Sequence, residues 1–238
     1  MRADLTLVHG LYCADNSSVP ASKARCDAIA ELKEAIGICD YEWIDGQNKK
    51  LANLALRLAR GTAPPVAAVE IIGLNESAVR ASLADKSGRA LWKNSLACTP
   101  YGLDPQRSFL LIGQPRLQLE GPATGQRLLW FGRGLTELTE QEFITHYTEH
   151  HGPLVAGYAE SLGLRRYRQV PKEHQWLDGE LRELGLGQAE SPSVFAELFM
   201  GMPPINLRSL AKRRLASREI ATDEKCHISF ADSMLLLA

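Results

Sequence analysis

No stretch of this sequence approaches the roughly 20 consecutive apolar residues that a membrane-spanning helix needs. Its start, Met1-Arg-Ala-Asp-Leu-Thr-Leu-Val-His9, lacks the charged-then-apolar order of a secretory leader. Neither sign of charge dominates: 27 Lys+Arg against 28 Asp+Glu leave a net charge of −1. That balance excludes a global electrostatic footprint for nucleic acid or an anionic membrane. Cysteine is sparse and scattered. Cys13, Cys26, Cys39, Cys98 and Cys226 include no CxxC pair for zinc or redox work, and read as small buried hydrophobes in a reducing compartment. Gly132-Arg-Gly134 is a lone GxG without the third glycine of a nucleotide-phosphate loop. These absences lead us to expect a cytoplasmic protein with no cofactor, no metal and no nucleic-acid or membrane partner, whose function rests on a local site.

What is present is an ordinary globular composition, 45% hydrophobic and 23% charged, able to bury a core without disulfides or metals. Alternation predicts a strand over Asp4–Cys13, and spacings of three and four predict a helix over Lys23–Ile36, closed by Gly37. Further strands are expected at Cys39–Ile44, Val66–Leu74 and within Arg107–Leu119. A short extra helix is expected over Leu51–Arg60, and an Asn75-capped helical region running towards Pro100. The second half reads as a strand at Arg127–Leu135, an interrupted helix over Glu140–Leu162, and a strand at Arg165–Val170. After it come a polar connection over Lys172–Ser193, with a turn of helix in Gly179–Leu186, and a strand at Val194–Met200. A helix over Asn206–Ser217 and a last strand at Ser233–Ala238 complete it. Both halves follow β-α-β-β-α-β, the ferredoxin-like order. Each such unit has one sheet face that needs cover. The fold class expected is therefore α+β, two tandem ferredoxin-like (βαββαβ) units packed sheet to sheet. Their ranges are 1–120 and 127–238, with the linker in Gln118–Gln126.

One segment carries chemistry. Thr139 and Glu142 make a capping box, with Leu138 and Phe143 as its hydrophobic staple. Phe143, Tyr147, His151, Leu154, Tyr158 and Leu162 then recur at steps of three and four, which sets His151 on the inward face and leaves His146 and His150 on wetter flanks. Pro153 gives no N–H to the Glu149 carbonyl, so an interruption and a small cavity beside His151 are expected. A half-buried imidazole suits general acid–base work, although a lone histidine on an apolar face is more often a satisfied core residue.

The run Thr139-Glu-Gln-Glu-Phe-Ile-Thr-His-Tyr-Thr-Glu-His-His-Gly-Pro-Leu154 resembles the EthD family signature. There a capped helix start leads to an aromatic residue, His-Gly-Pro-Leu and a Leu-x-x-Tyr strand, matched here by Leu164-Arg-Arg-Tyr167. Phe195-Ala-Glu-Leu-Phe199 and Thr222–Phe230 correspond to later features, so the resemblance covers roughly 127–238. It implies an intramolecular dimeric α/β barrel, whose wider group holds cofactor-free isomerases, cyclases and dehydratases, quinol monooxygenases and haem-binding enzymes. It gives His151 the role of the family histidine and Tyr147 that of its aromatic neighbour. The first half has no His-Gly-Pro, so one working site per chain is expected.

Catalysis is thus expected at His151 and Tyr147, with His146, Tyr158, Tyr167 and His227 as substrate contacts. The expected reaction is proton transfer on a small aromatic, phenolic or lactone compound. The alternatives are an EthD-type accessory or binding protein of an oxidoreductase system, and a haem-linked oxidoreductase. Asp223 is a residue that could orient a histidine, though no spacing demands it. His146-x-x-x-His150 has the spacing of a metal pair without a third ligand. Arg208, Lys212, Arg213, Arg214 and Arg218 read as a solvated face with one arginine available to a carboxylate. A pseudo-dimer within the chain, with a further homodimer open, completes the expected partners.

Overall fold

The computed structural model describes residues 3–12, 29, 33, 35–45, 67–96, 104, 106–203 and 207–238. The helices expected over Lys23–Ile36 and Leu51–Arg60 fall mostly or wholly outside them, although Ile29 and Ile36 are described and buried. The described residues divide into two compact units. The first draws on Met1–Gln47, Val66–Pro115 and Lys172–Ser191, the second on Arg116–Pro171 and Pro192–Ala238.

In the first unit, β1 (Leu5–Leu11), β2 (Ile38–Asp45), β3 (Ala68–Leu74) and β4 (Phe109–Gly113) form an antiparallel sheet in the order β2-β3-β1-β4. This is the strand order of a split βαβ unit. Gly37 takes the left-handed conformation (φ 79°) expected of the residue that follows a helix. Asn75 caps α1 (Glu76–Ala84) by accepting from the Ala78 N–H at 3.1 Å. The helical region towards Pro100 is two helices, because the Asp85 carboxylate takes the N–H groups of Ser87 and Gly88 and starts α2 (Lys86–Leu96).

The first unit's core reaches beyond the expected half. Leu5, Leu7, Ile72, Leu74, Trp92 and Ile112 pack with Leu177, Leu181 and Leu186. Leu177 and Leu181 stand one turn apart on α6 (Gln175–Glu183), where a polar connection with a shorter turn was expected. Arg89 on α2 pairs with Glu180 and Glu183, and the Arg80 guanidinium lies 3.7 Å over the Trp176 ring.

The strand expected within Arg107–Leu119 likewise breaks in two at Gln114-Pro115. Its second part, β5 (Arg116–Leu119), belongs to the second unit and pairs with the strand at Leu164–Pro171. The division between the units therefore falls earlier than the expected linker, at Pro115–Arg116. In the second unit, β5, β6 (Gln126–Gly132), β7 (Leu164–Pro171), β8 (Val194–Met200) and β9 (Met234–Leu237) run β5-β7-β8-β6-β9. Without β5 this repeats the first unit's order.

Between β6 and β7 lie α3 (Glu140–His146), a π-helical turn (Tyr147–His151), α4 (Gly152–Gly157) and α5 (Ala159–Leu162). The final helix, α7, is a 21-residue element over Leu207–His227. It runs past the expected end at Ser217, because the polar residues that dominate Arg218–His227 hide the apolar face of its last turns. No helix among the described residues is long and apolar enough to cross a membrane.

Candidate functional site

The Thr139 capping box forms as expected: the Glu142 N–H donates to Thr139 Oγ1 at 3.2 Å, and the Thr139 N–H to Glu142 Oε2 at 2.8 Å. Four residues on, the helix loosens without kinking away. The Gly152 N–H reaches back to the Tyr147 carbonyl, five residues earlier, and so closes a π turn. In that register Pro153 would face the Thr148 carbonyl but has no N–H to give. The Gln118 side-chain amide fills the gap, donating to Thr148 O at 2.8 Å. The freed acceptor is thus that of Thr148, one residue from the expected Glu149. Gln169 Nε2 donates to the Tyr147 carbonyl at 3.2 Å.

Both amides come close because residue 152 is glycine. A Cβ there would stand 2.6 Å from Gln118 Cδ and 2.9 Å from Gln169 Nε2. The three letters of His-Gly-Pro thereby acquire separate physical roles: the proline leaves a carbonyl open, the glycine admits the amides that serve the turn, and the histidine is held at its end.

His151 is 4% exposed, and its Nδ1 lies 2.8 Å from Asp223 Oδ2 on α7. His146 Nε2 meets the other oxygen, Oδ1, at 2.7 Å. Burial works to raise the Asp223 carboxyl, but the hydrogen bonds from His151 and His146 outweigh it and hold the group below its ordinary value. The carboxylate can only accept, so His151 Nδ1 carries the proton and donates it. Burial lowers the His151 pKa, with the Asp223 bond and charge offsetting part of the effect. A neutral ring with Nδ1–H has a bare Nε2. Among the described residues that atom has no hydrogen-bond partner, and the ring forms part of a cavity wall.

The cavity, about 440 Å³, lies within the second unit and is mainly apolar, with Trp130, Val155, Leu198 and Ile220 among its lining. Its volume suits a small organic ligand. The polar groups that reach it are Tyr147, His151, Tyr167, Ser217 and Glu224; no described lining residue is Lys or Arg. Tyr147 is stacked between Trp130 (ring centroids 5.2 Å apart) and His151 (4.7 Å).

A directed hydrogen-bond chain runs behind these rings. Gln118 Nε2 donates to Gln169 Oε1 at 2.8 Å, and Gln169 Nε2 donates to the Tyr167 hydroxyl at 2.6 Å. Because Gln169 Nε2 also serves a carbonyl, its amide cannot be reversed. Tyr167 therefore accepts from Gln169 and donates to the Tyr147 hydroxyl at 3.4 Å, which leaves the Tyr147 proton free for a ligand. Burial pushes the Tyr167 phenol up to about 12 and raises Tyr147 as well, so both stay protonated donors.

The structure brings Tyr147, His151 and Tyr167 to one cavity but not the other expected contacts. Tyr158 instead donates to Glu219 at 2.6 Å, outside the cavity lining. His146 and His227 are likewise absent from the lining and stack on each other at 3.3 Å with planes 7° apart; His227 Nδ1 bonds the Asp223 carbonyl at 3.0 Å. From the basic run, Lys212, Arg214 and Arg218 are exposed and Arg213 donates to the Ser161 carbonyl, so none of these four lines the cavity; the Arg208 side chain lies outside the described residues. Asp223, named above as able to orient a histidine, is the partner of His151; Glu224 is the site residue that sequence reasoning missed. The signal for Glu224 was the spacing 217, 220, 221, 224 along α7, the face that lines the cavity.

His146, Asp223 and His227 have metal-ligand composition, their atoms within 4.8 Å of one another. Their geometry does not fit an ion: face-to-face rings send their in-plane lone pairs parallel, not towards one point. Both Asp223 oxygens are also engaged by His146 and His151. Haem fits no better, since its two propionates would find no Lys or Arg in the described lining.

No curated protein matches the chain. Among solved structures, one from Fusobacterium nucleatum subsp. nucleatum, assigned as a monooxygenase, is 9% identical with a TM-score of 0.46, over 99% of this chain and 91% of that one. A point variant of chlorite dismutase from Candidatus Nitrospira defluvii is 10% identical with a TM-score of 0.40, over 100% and 92%. The EthD domain family matches residues 135–205, a range that holds Tyr147, His151 and Tyr167 and stops short of Asp223 and Glu224. Over those residues the chain is similar to the EthD domain family.

Proposed function

We propose that the second unit is a cofactor-free enzyme that moves a proton on a small, uncharged aromatic, phenolic or lactone compound, in an isomerisation, dehydration or cyclisation. His151 Nε2 is the base, Asp223 holds its ring and compensates the imidazolium that forms, and Tyr147 donates to oxygen as negative charge develops there. The observation that carries this reading is the 2.8 Å bond between His151 Nδ1 and Asp223 Oδ2, with the opposite ring nitrogen unpartnered at a mainly apolar cavity. An uncharged ligand follows from a lining with a carboxyl group and no described cation.

The test is a thermal-shift screen of the wild type and His151→Ala against phenols, aromatic acids, lactones and haemin. Ligands that bind the folded state raise the melting point by mass action. Neutral phenols or lactones should stabilise the wild type, while aromatic carboxylates and haemin should not. A hit confined to carboxylates or haemin would sink the reading.

A further inference from the structure

Glu224 has no role in the scheme above, yet it lies in the same cavity as His151. It sits on the inward face of α7 among Ile220, Ala221 and Ile228, the one carboxyl group in the described lining. Among the described residues it has no hydrogen-bond partner. Its titratable surroundings are few: Asp223 beside it on α7, the phenols of Tyr147 and Tyr167, whose ionisation its charge opposes, and His151 in the same lining. A carboxyl group in that setting has nothing to neutralise it except its own proton.

We propose that Glu224 is the second catalytic residue of the cavity, the acid that delivers a proton to the ligand while His151 removes one. The inference rests on the proton-transfer reading above. In an enolisation followed by reprotonation, His151 Nε2 takes a proton from a carbon next to a carbonyl and becomes imidazolium. The C–H electron pair moves to the new C=C bond, and the carbonyl oxygen takes the Glu224 proton. His151 then delivers its proton to carbon, the C=C pair forming the new C–H bond, while the enol O–H proton returns to the Glu224 carboxylate and the O–H pair re-forms the carbonyl. Both residues end in the protonation states in which they began. No oxidant, reductant or metal enters the balance. Burial, with the Asp223 charge adding to it, pushes the Glu224 carboxyl up to about 7, so the acid form is available near neutrality, where His151 is already a free base.

The experiment uses 2-tetralone, a neutral enolisable ketone, and follows exchange of its α-protons in D₂O by NMR from pH 5 to 9. The wild-type rate should rise as His151 loses its proton and fall as Glu224 loses its own, with the falling limb near pH 7. In Glu224→Gln the rate should drop about a hundredfold, the falling limb near pH 7 should vanish, and ketone affinity should hold within about threefold. A Glu224→Gln protein that keeps both rate and limb overturns the role of Glu224 and leaves His151 as base. A wild type that leaves the ketone unexchanged at every pH overturns the proton-transfer reading, and Glu224 falls with it.

Discussion

A Cβ on Gly152 would stand 2.6 Å from Gln118 Cδ, so a side chain at this position would displace the amide that serves the π turn. Gly152→Ala should therefore cost about 1–3 kcal/mol of stability, read from urea unfolding. Gln118→Ala in the same chain should recover part of that loss, since it removes the clashing amide. An additive pair of losses would show that the approach is not what makes the glycine necessary.

Asp223→Asn tests the orientation of the base. An amide can donate as well as accept, so the ring is no longer bound to keep its proton on Nδ1. Ketone exchange should fall by about a hundredfold or more with affinity little changed, and the ¹⁵N spectrum of His151 should show the other tautomer. Unaltered exchange would remove Asp223 from the mechanism.

Stability against pH separates the two titrating groups. The Glu224 carboxyl is raised in the fold to about 7 from an unfolded value near 4.5. The folded state then binds its proton more tightly than the unfolded chain does, so stability is lost as pH rises from about 4.5 through 7. Glu224→Gln should match the wild type at pH 4 and exceed it in melting temperature at pH 8. His151 works in the opposite direction: its folded pKa lies below 6.5, so its neutral ring costs stability as pH falls below 6.5. His151→Gln should narrow that acid-side loss.

The phenol chain predicts an asymmetry. Tyr167→Phe strands a buried Gln169 N–H and should cost about 1–3 kcal/mol. Tyr147→Phe leaves every amide in the chain with its acceptor, so it should cost less while weakening binding of a ligand oxygen. Equal losses in urea titrations would mean that the chain does not run in the direction assigned to it.

Leu181→Ala should lower stability by about 2–5 kcal/mol and speed amide exchange in β4, because Leu181 is fully buried in the first unit's core. Faster exchange in β8 with β4 unchanged would place α6 elsewhere.

The elements legible in the sequence were those that announce themselves locally. Thr139 with Glu142, Asn75 before α1 and Gly37 in the left-handed region are set by a few neighbouring residues. So is the inward face that carries Phe143, Tyr147 and His151. What stayed hidden depends on distant partners. Asp223 meets His151 across 72 residues, and nothing near either one in sequence announces the other. The π turn hides similarly, since its stability comes from Gln118 and Gln169 on two strands of the sheet. The Lys172–Ser193 connection looked polar because its buried leucines are spaced for a helix that packs on residues from the other end of the chain.

The route of residues 172–191 also dictates an order of events on the ribosome. The first unit's core includes Leu177, Leu181 and Leu186, so it is incomplete until those residues have left the exit tunnel. Many multidomain chains finish their N-terminal domain during synthesis. Here the nascent N-terminal sheet must wait for a late-arriving helix, with the apolar residues that α6 will cover still exposed. Chaperones that shield nascent apolar surface therefore have a long interval in which to act on this chain, and a translational pause before α6 emerges would lengthen it.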